Sequence, residues 1–291
     1  MKIIIVEGVD GSGKTTLVNE LSQHAPDNTI ITHCGPLKKH PLHEYLRPLE
    51  QLGSDDVFIA DRWHVGEMVY GPLYRGVSRL TPEMMAYIEG FLASRAATRL
   101  AMTTPYAEVK RRLESRGEDF LQAQHLRLVC DFYEDYADRT DGWVGVQEYD
   151  AQRLLLDAPS APLHAKSSYV GPLEAASVLF VGEERVHRRP NEIGHLNPFV
   201  PYVGSPGHQL ISSIIKSGIT SWGIMDVNDP DLFTVWKSLD FPDVIALGDI
   251  AARLAGEQGI PSLTVHHPAE AIIHRLPVTT YSEVIAHAAR R

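Results

Sequence analysis

The chain has 291 residues, of which 44% are hydrophobic and 22% charged, with 27 Lys and Arg against 37 Asp and Glu. This excludes disordered, collagen-like and disulfide-dense classes. The formal charge of −10 argues against general polyanion binding, which rests on Lys and Arg neutralising phosphates. The only cysteines, Cys34 and Cys130, lack CxxC partners, so they read as two buried thiols in a reducing compartment. The apolar N-terminus is short for a signal peptide, and no run of about 18 apolar residues exists to span a membrane. The expected location is the cytoplasm.

The length suggests two domains. Residues 2–6 read as a buried strand, followed by a helix over 14–24 and short apolar runs at 28–33 and 56–60. A helix over 82–97, a strand over 100–103, helices over 107–116 and 120–137 and an apolar run at 143–148 complete the first half. Residues 157–173 are rich in Pro, Ala and Ser and read as a linker. Beyond it, strands at 176–181, 220–227, 244–247 and 262–266 alternate with helices at 207–217, 230–239, 250–258 and 281–290. Alternation of this kind predicts α/β architecture with parallel sheets covered by helices, in domains spanning 1–160 and 174–291. The first 165 residues carry 17 basic and 24 acidic side chains and the remainder 10 and 13, so the acidity sits mainly in the first domain.

The strongest motif is Gly8-Val9-Asp10-Gly11-Ser12-Gly13-Lys14-Thr15, a GxxxxGK[ST] phosphate loop between a strand and a helix. Its glycines let backbone N–H groups turn toward phosphates, and the helix N-terminus adds positive potential. Gly8, Asp10, Gly11, Ser12, Gly13, Lys14, Thr15 and Thr16 are the candidate nucleotide-binding residues. Lys14 can reach the β- and γ-phosphates, and the Thr15 hydroxyl can ligate Mg²⁺, so ATP and Mg²⁺ are the expected cofactors. Asp61 and Arg62 end the next strong strand, where an α/β sheet faces its ligand crevice. Asp61 can hold the metal or orient an acceptor oxygen. Arg62 can pair with an acceptor phosphate.

VEGVDGSGKTT together with FIADRWHVGEMVYGPLYRG resembles the thymidylate kinase family, in particular phage-type deoxynucleotide kinases. The resemblance covers residues 1–157. Glu7 matches the family's Glu before its first glycine, Asp61 and Arg62 match its DR pair, and Tyr70 matches an aromatic on the nucleoside side. It implies phosphoryl transfer from ATP to a deoxynucleoside monophosphate, with Arg62 on the acceptor phosphate. The basic stretch 110–119 resembles the family's lid, with Arg112 and Arg116 four apart on one helix face as candidate catalytic arginines. Departures follow the DR pair. Residues 71–76 read as an unusual loop whose Tyr74 and Arg75 are candidate acceptor contacts. His64 is either a base contact or a structural histidine.

In the second half, a strand into Val181-Gly182-Glu183, a Pro-Phe pair at Phe199, a strand-end Asn228, Ala246-Leu247-Gly248 and His267-Pro268 follow in order. This order resembles the uracil-DNA glycosylase superfamily. It implies a base pocket with Phe199 stacking on the ring, Asn228 reading its edge, and His267 near the glycosidic oxygen or a phosphate. Separately, Glu183 or Glu184 could form an acid–base pair with His267 if the fold brings them together. The loop 184–190 and Ala269-Glu270-Ala271 depart from the superfamily's catalytic segments. Arg185, His187, Arg188 and Arg189 form a basic cluster, either a solvated face or a phosphate site.

A small deoxynucleotide is therefore the expected partner, with DNA open through the second domain and a homodimer open from the thymidylate kinase resemblance. No metal beyond Mg²⁺ is expected. Three alternatives stay open: a kinase of a hydroxyl-bearing modified base in phage DNA, an N-glycosylase, and a nucleotide-sensing protein with little turnover.

Overall fold

The computed structural model describes residues 1–117, 123–160, 168–172, 176–183, 199, 201 and 205–290. The chain forms two compact units, one from residues 1–80 and 96–161 and one from residues 81–95 and 162–291. Both are α/β, with parallel sheets flanked by helices.

The first unit contains β1 (Lys2–Gly8), α1 (Lys14–His24), β2 (Thr29–His33), α2 (Pro41–Glu50), β3 (Val57–Asp61) and α3 (His64–Arg75). It continues through β4 (Thr98–Met102), α5 (Tyr106–Arg116), α6 (Ala123–Arg139), β5 (Trp143–Val146) and α7 (Ala151–Asp157). Its strands run β2-β3-β1-β4-β5, all parallel. Ile3, Ile4, Ile5 and Val6 of central β1 are all buried, as expected for a strand covered on both faces. One face packs Ile4 and Val6 with Leu17, Val18 and Leu21 of α1. The chain leaves β1 first toward β2 and β3, then toward β4 and β5, so the strand order reverses around β1. A crevice opens at the carboxyl ends of strands at such a point.

The second unit takes α4 (Pro82–Ser94), then β6 (Val178–Gly182), α8 (Pro206–Ser217), β7 (Trp222–Asp226), α9 (Leu232–Ser238) and β8 (Asp243–Leu247). It ends with α10 (Asp249–Glu257), β9 (Leu263–Val265), α11 (Pro268–Ile273) and α12 (Val278–Ala288). Its parallel sheet runs β7-β6-β8-β9. The core on one face joins Leu179, Val181, Met225, Val244 and Ala246 to Leu232, Val235, Ala251 and Ala255 of α9 and α10.

Three features differ from the sequence expectations. Helices α2 and α3 were not anticipated, because Pro41, Pro48 and Pro72 obscure their periodicity. Pro41 occupies the first turn, where a missing N–H costs nothing. Residues 71–76 are not a loop: α3 continues through Pro72 and stops at Gly76, whose φ of 75° ends the helix. The helix expected at 82–97 does form, yet it belongs with the second unit. There the Gly171 N–H donates to Gly90 O at 3.0 Å, Arg95 donates to Tyr169 O at 2.6 Å, and Ser212 donates to Glu83 at 2.6 Å. Among the described residues no helix is long and apolar enough to cross a membrane.

Candidate active site

The phosphate loop joins β1 to α1. Gly8 and Gly13 have φ of 147° and 102°, which residues with a side chain rarely adopt. A Cβ at Gly8 would also lie 2.8 Å from Met102 Cβ and 2.9 Å from Ser12 Oγ. Thr104 Oγ1, just beyond β4, donates to Ser12 O at 2.8 Å and pins the loop to the sheet. Lys14 folds back to donate to Val9 O at 2.8 Å. Burial pulls its pKa down to about 8, against the opposing pull of Asp61 and Glu7. Phosphate oxygens at this position would restore the ammonium's lost solvation.

At the end of β3, Asp61 is buried and accepts the Thr15 hydroxyl at 2.8 Å. His33, at the end of neighbouring β2, places Nδ1 3.0 Å from the same carboxylate oxygen. A hydroxyl and a carboxylate oxygen beside a phosphate loop are the hard donors that Mg²⁺ prefers, so Thr15 and Asp61 fit the ion's chemistry. Arg62 adopts φ of 67°, a strained conformation for arginine, while its N–H donates to Val6 O at 2.8 Å. Its guanidinium pairs with Asp10 of the phosphate loop and lies 5.7 Å from the Tyr70 ring centre.

These groups open into one cleft of about 710 Å³. Asp10, Gly11, Gly13, Lys14, Thr15 and Thr16 line one side, joined by Asp61, Arg62 and Arg116. Helix α3 forms a wall through Gly66, Glu67, Tyr70, Tyr74 and Arg75, spaced so that all five share one face. Tyr70 and Tyr74 stack with centroids 6.2 Å apart. Arg75 pairs with the buried Glu67, which also accepts the Arg79 N–H at 2.8 Å. Among the described residues, two buried polar atoms of lining residues, Trp63 Nε1 and the Tyr70 hydroxyl, have no hydrogen-bond partner. Such orphans are rare in folded proteins and mark positions where a ligand can supply the partner.

His64 does not reach the cleft. It is fully buried, with its ring 6.1 Å from Tyr45 and 6.1 Å from Trp143, so of the two readings open from the sequence the burial favours the structural one. His33 and Glu67 were not singled out from sequence. The strand-end rule that found Asp61 applies equally to His33. Glu67 emerges only once α3 is known to be a helix.

Helix α5 carries the arginine stretch. Glu108 holds Arg111 through two hydrogen bonds of 2.8 and 2.7 Å and Arg112 through one of 2.7 Å. These two arginines keep the Glu108 carboxyl down at about 2. Arg112 also donates to Gly11 O at 3.3 Å. A second cavity of about 350 Å³ lies against the loop's other side, lined by Thr16, Arg112, Arg116, Gln147 and Tyr149 among others. Arg116 lines both cavities and Arg112 only the smaller. Glu118 and Asp119 lie outside the described residues.

In the second unit, the sheet brings Glu183, Asn228 and His267 to the carboxyl ends of β6, β7 and β9. Phe199 is fully buried, and its ring so fills the space over Gly182 that a Cβ there would lie 2.5 Å from Phe199 Cζ. The His267 ring centre is 5.8 Å from that of Phe199. His267 meets the Glu183 backbone carbonyl at 3.1 Å, and its Nδ1 accepts the Ala269 N–H at 3.1 Å, while Glu184, the other candidate partner, lies outside the described residues. Since Nδ1 accepts, Nε2 carries the proton and donates to that carbonyl. The Asn228 side chain folds back onto Asp226 at 3.1 Å. Glu184, Arg185, His187, Arg188 and Arg189 lie outside the described residues. Among the described residues no cluster of three metal-ligating side chains occurs.

No protein-family profile matches the chain. The chain is 24% identical over 135 residues to the SPbeta prophage-derived uncharacterized protein YorR of Bacillus subtilis, spanning 46% of this chain and 81% of that protein. A crystal structure of YorR in complex with phosphorylated GDP aligns over 53% of this chain and 92% of its own, at 19% identity and a TM-score of 0.44. A structure of deoxyadenosine kinase from M. mycoides with bound dATP aligns over 53% and 97%, at 15% identity and a TM-score of 0.34.

Proposed function

We propose that the first unit transfers the γ-phosphoryl group of ATP to a deoxynucleoside monophosphate, with a thymidylate-like nucleotide as the first acceptor to test. The observation that carries this reading is convergence. Lys14 and Thr15 of the loop, Asp61 and Arg62 of β3, Arg116 of α5 and the aromatic face of α3 line a single cleft. The likeness to YorR and to deoxyadenosine kinase, whose structures hold phosphorylated GDP and dATP, agrees with a nucleotide substrate.

The smaller cavity beside Gln147 and Tyr149 suits the donor nucleoside, and the larger one the acceptor. Thr15 and Asp61 would hold Mg²⁺, which supplies charge neutralisation across the transferring phosphates. Lys14 exchanges Val9 O for a phosphate oxygen. Arg62 exchanges Asp10 for the acceptor phosphate, presenting two parallel N–H donors. Arg116, common to both cavities, stabilises charge on the phosphoryl group in flight, while Arg112 holds the donor side. The acceptor is already ionised, so the residues position and neutralise rather than remove a proton.

Incubation with ATP, Mg²⁺ and a panel of deoxynucleoside monophosphates tests this reading, the expected product being a diphosphate. Failure with every monomer would overturn it, and transfer to nucleosides or to hydroxymethylated DNA would replace the acceptor assignment. For the second unit we propose base or nucleotide binding, supported by Phe199, Glu183 and His267 meeting at one end of the sheet. Both His267 nitrogens serve the backbone and Asn228 is turned to Asp226, which weighs against glycosidic cleavage. Release of free base from a nucleotide or from DNA, lost in Asn228→Ala, would reinstate cleavage.

A further inference from the structure

Glu7 lies one residue before the phosphate loop and is fully buried. Its Oε1 accepts the N–H of Trp63 at 2.8 Å and of Gly66 at 3.1 Å, and its Oε2 is 3.2 Å from the Tyr133 hydroxyl. All three partners can donate, so the carboxyl serves as an acceptor on both oxygens. Helix α3 has no capping side chain of its own, because its N-cap residue is Trp63. The first turn of a helix leaves N–H groups that need acceptors, and a negative charge there also meets the positive end of the dipole. Burial pushes the Glu7 carboxyl up, while His64, the two N–H groups and Lys14 pull it back toward the charged form; it provides the acceptor from a different strand, and Tyr133 ties the same carboxyl to α6.

We propose that Glu7 is a positioning residue that sets the acceptor wall of the cleft against the phosphate loop. Gly8, its chain neighbour, opens the loop, and the helix it caps carries Glu67, Tyr70, Tyr74 and Arg75. A shift of α3 therefore moves the acceptor's contacts while leaving the loop's backbone in place. This inference rests on the reading of the larger cleft as the acceptor site.

The test uses the full chain with Glu7→Ala, Glu7→Gln and Tyr133→Phe. Glutamine keeps an oxygen for the two N–H groups and turns its amide toward the Tyr133 oxygen, which can accept. In Glu7→Ala the acceptor KM is expected to rise about tenfold or more, the fold-change for losing charge-assisted hydrogen bonds. Affinity for a fluorescent ATP analogue is expected to fall by less than the acceptor KM rises, since Glu7 also supports the charge on Lys14, and amide exchange at Trp63 and Gly66 to accelerate. Glu7→Gln recovers most of the KM, and Tyr133→Phe gives a smaller rise. Equal losses of ATP affinity and acceptor KM in these variants would overturn the proposal, as would unchanged amide exchange at α3. Should Glu7→Ala not fold, Glu7→Gln and Tyr133→Phe decide on the same readouts. Should the wild type transfer no phosphate to any nucleotide, the functional reading fails, whereas amide exchange and ATP-analogue affinity still judge Glu7.

Discussion

Replacing Asp61 with asparagine separates chemistry from stability at the point where they meet. The carboxylate is 5% exposed and receives Thr15 Oγ1 at 2.8 Å and His33 Nδ1 at 3.0 Å. Asparagine keeps an oxygen for Thr15, so a charge-assisted hydrogen bond becomes a neutral one, at a cost of about 1 kcal/mol. The His33 side chain is 62% exposed, so its pairing adds little. The melting temperature should therefore fall by about 2–4 °C. The reaction should lose far more, because a preorganised charge beside the phosphates disappears, and a loss of about 10²–10³ in kcat is expected. The assay is Mg²⁺-ATP turnover with the best monophosphate, run beside thermal unfolding. A kcat within tenfold of wild type would refute the assignment of Asp61 to the reacting phosphates. A fall of more than about 8 °C, several times the expected shift, would show that the activity loss reports unfolding.

Lys14→Ala is expected to abolish transfer while leaving the fold intact by circular dichroism; residual turnover near wild type would remove the loop lysine from the mechanism. Glu108→Gln is expected to release Arg111 and Arg112, leave the melting temperature unchanged, and raise kcat/KM for ATP by roughly two- to fivefold as more of the population holds a phosphate-ready arginine. Unchanged ATP kinetics would mean that the Glu108 pairing does not restrain the arginines. Burial pushes Glu83 up, but hydrogen bonds from Ser212, its own N–H and Thr81, with help from His208, outweigh it and hold the carboxyl below its ordinary 4.5. A lowered folded-state pKa contributes stability that is complete above the ordinary value and lost as pH falls through the lowered one. Ser212→Ala should therefore lower the melting temperature at pH 7, with the difference from wild type narrowing toward pH 3; a constant difference across that range would contradict this. A protease site inserted between residues 160 and 168 should yield two fragments that co-elute, since residues 81–95 stay on the first fragment yet belong to the second unit. Separate elution would show that α4 does not hold the second unit.

Much of the loop end of the cleft was legible in the sequence because its signals are local. Gly8 to Thr15 needs glycines at fixed spacing between a strand and a helix, and the four-residue apolar run before Asp61 ends where a parallel sheet opens to ligand. The α3 wall of the cleft was less legible. Pro72 and Gly71 suggested a loop where α3 continues, so Tyr74 and Arg75 were found as residues but not as one face shared with Glu67. For His64 the sequence left a base contact and a structural role both open, and only the fold shows that Tyr45 and Trp143, distant in sequence, enclose it.

From sequence alone the chain was set as α/β, with parallel strands and a phosphate loop, because strand hydrophobicity and glycine placement act over a few residues. Only the tertiary structure decided that α4 joins the second unit, that Glu7 caps α3 from another strand, and that His267 spends both ring nitrogens on the backbone. Each of these is a contact between segments far apart in the chain, where packing and the need to satisfy buried polar groups override local pattern.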